Sequence, residues 1–143
     1  MYGPVVIMET QSIYLLNLFL SAFMCGVVWL VQILIYPSFN LAKNKEHHQF
    51  HMTAISKVVL PIMLLELGAI IYFYFTTNSS IILLVLILLI LIWLSTFMLQ
   101  VPHHRAVQSN PSTGSIAKLV SFNWIRTCLW TAKTLLLLWY GIA

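Results

Sequence analysis

The sequence predicts an all-α integral membrane bundle of four antiparallel transmembrane helices, with residues 1–143 forming a single membrane domain. Of its 143 residues, 61% are hydrophobic and only 7% are charged. A water-soluble domain carries roughly a quarter charged residues, so this composition would leave a soluble surface uncovered. The apolar residues also form continuous runs without the alternation of a strand, and each run has about 20 residues or more, enough to cross a bilayer as a helix.

The expected helices are separated by short polar segments. They cover approximately residues 12–36, 45–75, 81–104 and 119–142. Pro37 is expected to end the first helix, and Asn44 is the expected N-cap of the second. Residues 76–80 are polar and predict a tight turn, whereas residues 110–114 combine Asn, Pro, Ser, Thr and Gly and predict a longer loop.

The basic residues predict the orientation of the chain. They flank the first and third connections, at Lys43, Lys45, Lys57, Arg105 and Lys118. The turn between the second and third helices has no charge. By the positive-inside rule the first and third connections are cytoplasmic and both termini lie outside. No clustered basic face lies outside the apolar runs, so nucleic-acid binding is not expected and the lipid bilayer is the expected surrounding.

The five histidines occur at two points that this orientation places at the cytoplasmic face. They are His47, His48, His51, His103 and His104. His48 and His51 are three residues apart, so both rings lie along one edge of a helix, and His104 arrives from the third helix. Three imidazoles suit a transition metal, and Fe, Zn and Cu remain open. The competing interpretation is that these interfacial histidines contact only headgroups and water.

Each expected helix carries a polar stripe that lipid would not tolerate, so the stripes should point inward and line a pocket that opens to the cytoplasm. Gln32 and Tyr36 on the first helix and Gln100 on the third are predicted cofactor-binding residues that orient the metal ligands. Asn123 and Arg126 on the fourth helix are predicted to position a substrate, and a planar guanidinium suits an anionic group.

Glu66 is predicted as a third catalytic residue beside Asn123 and Arg126. It lies about ten residues inside the second span, roughly 15 Å deep, and an ionisable residue at that depth suggests function. Eighteen residues separate it from His48, about 27 Å along a helix, so the two do not share an ion. Arg126 and Lys133 are its candidate partners, and both a structural clamp and proton handling remain open.

A combination of short motifs resembles a family of small bacterial four-helix membrane proteins. The motifs are Trp29-x-x-Gln32-x-x-x-Tyr36-Pro37, His48-x-x-His51, Val59-x-Pro61-x-Met63-x-x-Glu66, Trp93-Leu94-Ser95-Thr96, Gln100-Val101-Pro102-x-His104 and Asn123-Trp124-x-Arg126-Thr127-x-x-Trp130-Thr131. More distantly, the chain is similar in size and helix count to anthrone-oxygenase-type membrane proteins. The resemblance implies a bacterial inner-membrane location and carries no established activity.

Three functional hypotheses follow. The first is a membrane-embedded metalloenzyme, an oxidoreductase or oxygenase acting on a small hydrophobic substrate, with His48, His51 and His104 as metal ligands. The second is a haem b protein with one axial histidine from each of the second and third helices. The third is a non-enzymatic subunit whose polar stripes bind a larger membrane complex or a second copy of the chain. No phosphate loop or nucleophile elbow is present, so nucleotide-binding and hydrolase functions are not expected.

Overall fold

The computed structural model describes residues 4–41 and 44–142, and within these ranges the chain is helical apart from its short connections and has no strand. Four helices are formed, in line with the predicted all-α fold. Their bounds are as follows: α1 comprises Pro4–Leu30, a π-helical turn Val31–Ile35 and a final turn Tyr36–Ser38; α2 is Lys45–Thr77; α3 comprises Ser80–Ser95, a π-helical turn Thr96–Gln100 and Val101–Ser109; and α4 is Thr113–Ile142.

Polar residues end the helices near the predicted positions. Asn44 has extended backbone angles and its side chain accepts a hydrogen bond from the Glu46 amide at 2.8 Å, which confirms the N-cap of α2. α2 ends at Thr77, where Asn78 adopts the left-handed conformation with φ 47°. Only Asn78 and Ser79 separate α2 from α3. The left-handed angle suits asparagine and turns the chain back at once.

The helices extend further into the polar segments than the sequence predicts. α1 begins at Pro4 rather than near residue 12, and it continues past Pro37 to Ser38. α4 begins at Thr113 rather than near residue 119. The apolar runs mark the part of a helix that suits lipid, whereas backbone hydrogen bonding continues into the interface, where polar side chains are tolerated.

Three of the four helices are long and apolar enough to cross a membrane: Met8–Ser38, Lys45–Thr77 and Ser80–Ser109. The fourth long helix, α4, carries Lys118, Arg126 and Lys133 along its length. Arg126 and Lys133 are buried against the other helices rather than exposed on the outside of the protein. The exposed surface carries many large apolar side chains, including Phe19, Leu64 and Leu135, each more than half exposed.

Two groups of buried apolar residues hold the helices together. The larger extends from the end of α2 and the beginning of α3 toward the middle of all four helices. Its members that are inaccessible to solvent include Ile70, Phe73, Ile82, Val85, Leu89 and Leu137. The smaller lies beside the histidines and comprises Val31, Tyr36, Phe39, Val107, Ile116 and Leu119.

Candidate functional site

The two histidine points meet at one place. His48, in the second turn of α2, is 3% exposed, and His104 arrives from the last part of α3. His48 Nε2 lies 3.2 Å from His104 Nδ1, and His104 Nε2 lies 2.8 Å from the Tyr36 hydroxyl at the end of α1. Three helices therefore contribute to one hydrogen-bonded chain, His48–His104–Tyr36. From the sequence, the two histidine points are expected only at the same face of the membrane. The structure shows that His48 and His104 are in contact.

The π-helical turns place two glutamines inside the protein. Each turn comes shortly before a proline, Pro37 in α1 and Pro102 in α3, and contains one extra residue relative to α-helical register. The turns contain Gln32 and Gln100, which are 3% and 2% exposed. A single-turn π bulge rotates the residues that follow it around the helix axis. The side chains after each of these two turns therefore point in directions that a regular α-helix would not give them.

A polar network joins α1 to α4 beside the histidine chain. Asn123 Nδ2 donates to Gln32 Oε1 at 2.7 Å, and Gln32 Nε2 donates to the Val120 carbonyl at 3.2 Å. Arg126 Nη1 lies 3.4 Å from Asn123 Oδ1, and the guanidinium also interacts electrostatically with the Tyr36 hydroxyl. Gln32 and Asn123 thus fix the position of Arg126, while Tyr36 links this network to His104.

A cavity of about 220 Å³ lies between the helices and is bordered by these polar groups. Most of its wall is apolar. The apolar lining includes Val28, Val31, Met52, Val59, Met63 and Phe97, and the polar lining includes Tyr36, Ser56, Gln100, His104, Asn123 and Arg126. An apolar space with a few convergent polar groups has the composition of a small-molecule site. The predicted polar-lined pocket is thus present, with more apolar wall than the polar stripes alone suggested.

Several polar atoms in this region have no hydrogen-bond partner within the described residues. Both polar side-chain atoms of Gln100, Nε2 and Oε1, are buried and unpaired, as are Arg126 Nε and His48 Nδ1. Buried polar groups in proteins are almost always paired, because an unpaired one costs about 1–3 kcal/mol. Two of these side chains, Gln100 and Arg126, line the cavity. A bound molecule or ordered water there would satisfy them.

The predicted metal ligands converge only in part. His51 packs beside His47, with ring centroids 4.4 Å apart, and both rings lie around Phe39 rather than against His104. Within residues 4–41 and 44–142, no group of three or more His, Cys, Asp or Glu side chains is arranged to hold a metal ion. His48 and His104 alone offer two imidazole nitrogens that face each other.

Glu66 belongs to a separate polar cluster deeper in the protein. Its carboxylate accepts a hydrogen bond from Lys133 Nζ, and both side chains are inaccessible to solvent. Lys133 also donates to the Ser21 hydroxyl at 3.1 Å, and Ser21 contacts Thr134 at 3.1 Å. The structure thereby selects Lys133, not Arg126, as the partner of Glu66. Glu66 is not among the residues that line the cavity, whereas Asn123 and Arg126 are.

Three residues that shape the site, Phe39, Asn17 and Ser21, were not predicted from the sequence. The Phe39 ring is 5.0 Å from that of His48, and it lies in a segment predicted to be a connection. Asn17 and Ser21 are completely buried on α1. They are spaced i, i+4, the signal of one helix face, and a continued stripe of polar residues along α1 would have revealed them. Trp29, by contrast, is partly exposed and donates to Thr131 Oγ1 at 3.0 Å.

Comparison with known proteins gives no match, whether with family models, with curated proteins or with solved structures.

Proposed function

We propose that the chain is an integral membrane protein whose four helices cross the bilayer in alternating directions, and that its cavity binds a small hydrophobic substrate by a polar end. The observation that carries the proposal is the carboxamide of Gln100, which is buried in the cavity wall with both polar atoms unpaired. A protein that had no ligand there would gain stability from an apolar residue of similar shape at this position.

The contacts between α1 and α4 support the membrane arrangement. Tyr14 Oη donates to the Leu137 carbonyl at 3.2 Å, and further along α1 Gln32 contacts Asn123. Residue numbers thus rise along α1 as they fall along α4. Because Arg126 and Lys133 are buried against other helices, the outer face of α4 is left to apolar side chains such as Leu135 and Leu138, as a span in lipid requires. The cytoplasmic placement of the histidines, and of both termini outside a bacterial inner membrane, rests on the distribution of basic residues.

The size of the cavity limits the substrate to a compact molecule. An apolar cavity of about 150 Å³ admits benzene. The cavity of about 220 Å³ therefore accommodates one ring or a short chain together with a polar group. Apolar walls hold the body of the molecule, and the unpaired groups of Gln100 and Arg126 hold its polar end.

The His48–His104–Tyr36 chain supports proton exchange with the substrate. His104 lines the cavity, and each neutral imidazole has one N–H donor and one acceptor nitrogen. In one arrangement His48 donates to His104 and His104 donates to Tyr36; in the other, all the hydrogen bonds are reversed. When the Tyr36 hydroxyl gives a proton to the substrate, reversal of the hydrogen bonds returns a proton to Tyr36 and leaves His48 Nδ1 protonated. His48 Nδ1 has no partner within the described residues.

A metal-dependent oxidoreductase or oxygenase is the second candidate, favoured by the distance between the two imidazole nitrogens. Two ligands about 2.05 Å from a tetrahedral metal lie roughly 3.3 Å apart, close to the 3.2 Å between His48 Nε2 and His104 Nδ1. Tyr36 on the other nitrogen of His104 would orient that ligand. With His51 turned away, the protein offers two ligands, and the remaining positions would fall to substrate or water.

Haem b is supported less well. Two axial ligands of one iron lie about 4 Å apart, at roughly 2 Å from the metal, with the macrocycle between them. His48 and His104 are in direct hydrogen-bond contact, with no space for a macrocycle between them.

A non-enzymatic subunit that binds a larger complex or a second copy of the chain would need no unpaired groups inside the cavity, so the buried Gln100 favours the ligand-binding proposal.

The test is identification of the co-purified ligand. Protein purified in detergent would be extracted with organic solvent and its small molecules compared by mass spectrometry with those from Gln100→Leu. The matched control is Gln11→Leu, because Gln11 is an exposed glutamine on α1 and does not line the cavity. A compound that is retained by the wild type and by Gln11→Leu but lost from Gln100→Leu is the expected result; equal retention by all three proteins contradicts the proposal.

Metal analysis of the same preparations separates the two candidates. Under the metal proposal, protein purified without chelators carries about one Fe, Zn or Cu per chain, which is lost in His48→Ala and in His104→Ala. His51→Ala is the matched control and retains the metal, because His51 does not contact His104 in the structure. Absence of metal from the wild type removes the second candidate and leaves the first unchanged.

A further inference from the structure

Within residues 4–41 and 44–142, Arg126 is a buried cation that forms no ion pair with a carboxylate. It is 9% exposed, and its two polar neighbours, the Asn123 side chain and the Tyr36 hydroxyl, are not carboxylates. The whole sequence contains only three acidic residues, Glu9, Glu46 and Glu66. Within the described part of the chain the one ion pair joins Glu66 to Lys133, so Glu66 is already occupied.

The other two acidic residues are on the surface. Glu9 is exposed near the beginning of α1, and Glu46 is exposed in the first turn of α2. A buried charge is normally paired, because its transfer out of water is otherwise unfavourable. Arg126 lines the cavity and its Nε has no partner within the described residues, so the cavity is the space in which an anionic partner can reach it.

We infer that the ligand is a small free carboxylic acid bound as its anion, with the carboxylate on Arg126 and Gln100 and the apolar body against the cavity wall. This inference rests on the proposed function and adds the chemical class of the substrate. A planar guanidinium binds carboxylate through two parallel N–H donors, and the Gln100 amide adds a further donor. The volume of about 220 Å³ favours an acid of about ten non-hydrogen atoms over an intact lipid.

A basic surface groove next to the cavity also agrees with an acidic ligand. A groove between α2 and α3 shares Met52, Ser56, Leu60, Val101 and His104 with the cavity, so the two spaces adjoin at these side chains. The groove is also lined by Lys57 and Arg105, both exposed, and by no acidic residue. Two cations at the mouth attract an anion and guide it toward the cavity. The groove therefore provides an entry route from the cytoplasmic side of the membrane.

The test is the charge selectivity of the full-length protein in nanodiscs of phosphatidylcholine. Octanoate, octanamide and octylamine have the same number of carbon atoms, with an anionic, a neutral and a cationic end. Their binding would be measured by equilibrium dialysis with quantification by mass spectrometry, with empty nanodiscs subtracted. We expect octanoate to bind at least 10-fold more tightly than octanamide and octylamine to bind least.

Two variants test the role of Arg126. Arg126→Gln should abolish the preference for octanoate over octanamide, whereas Arg126→Lys, which keeps the charge, should retain at least part of it. Lys118→Gln is the control, because Lys118 is an exposed cation on the same helix and does not line the cavity. If Arg126→Gln fails to fold, the selectivity of the wild type and of Arg126→Lys still decides the question.

The outcomes separate the two proposals. Equal binding of octanoate and octanamide overturns the anionic ligand and leaves the cavity-binding function intact. Absence of binding by all three compounds contradicts both. Displacement of octanoate when phosphatidylglycerol is added to the nanodiscs would show that the anion is a lipid headgroup rather than a free acid, and would overturn the inference in its stated form.

Discussion

His104 Nδ1 lies 3.2 Å from His48 Nε2, although 56 positions separate the two residues in the sequence. The contact joins the last part of α3 to the first part of α2, and the other nitrogen of His104 is held by Tyr36 at the end of α1. One imidazole thus connects three helices at the edge of the cavity. Because His104 has a partner on each side, its removal affects both neighbours.

His104→Ala should lower the free energy of unfolding by about 2 kcal/mol, because His48 Nε2 and the Tyr36 hydroxyl both lose a partner in a buried position. Unfolding in mixed detergent micelles, followed by circular dichroism, measures the change. His103→Ala is the matched control, since the His103 ring bonds to the Leu99 carbonyl of its own helix and packs against the Phe122 ring. A loss as large in His103→Ala as in His104→Ala would contradict the importance of the three-helix contact.

Glu66 and Lys133 should behave as a coupled pair. Removal of one charge, in Glu66→Leu or Lys133→Met, leaves the other buried and unpaired and should cost about 3–5 kcal/mol of stability. The double variant should be more stable than either single variant, because no isolated charge remains. A double-mutant cycle measured by the same unfolding assay gives the coupling energy. Additive effects of the two substitutions would mean that the pair does not form.

Val59→Phe should fill part of the cavity without a large loss of stability. Val59 lines the cavity, so the larger ring has space to occupy, whereas a similar enlargement in a packed core costs about 1–3 kcal/mol. Val85→Phe provides that comparison, because Val85 is completely buried in the larger core and does not line the cavity. We also expect Val59→Phe to lose the co-purified ligand; a cost equal to that of Val85→Phe would contradict the presence of open space.

Ser56→Trp should slow ligand entry, because Ser56 lies between the groove and the cavity. The rates of octanoate association and release in nanodiscs, measured by stopped-flow displacement of a fluorescent fatty acid, should both be lower than in the wild type. Ala54→Trp is the control, since Ala54 is exposed on the same helix and lines neither the groove nor the cavity. Unchanged rates in Ser56→Trp would show that the ligand enters by another route.

Cysteine labelling tests the orientation. Cys25 and Cys128 would first be replaced by Ala. Ser80→Cys and Asn110→Cys would then be made separately, so that each variant has a single exposed thiol, beside the second connection or in the third. A membrane-impermeant maleimide should label Ser80→Cys in intact cells and Asn110→Cys only after permeabilisation. The opposite pattern would place the histidines outside, and labelling of both positions in intact cells would contradict a membrane-crossing α3.

Much of the architecture is determined by the sequence alone. The number of helices, the Asn44 cap and the burial of Gln32, Gln100, Asn123 and Arg126 follow from apolar run length and from the exclusion of polar groups from an apolar exterior. These are properties of one helix and its surroundings, so they can be recognised without knowing which helices are neighbours.

The tertiary structure decided which polar groups meet. It paired Glu66 with Lys133 rather than Arg126, joined His104 to His48 and Tyr36, and turned His51 toward His47. These outcomes depend on the π-helical turns, on the axial offset between helices and on the rotation of each helix about its axis. A shift of one residue rotates a side chain by about 100° on a helix of 3.6 residues per turn, so periodicity places a residue on a face, and packing alone selects its partner.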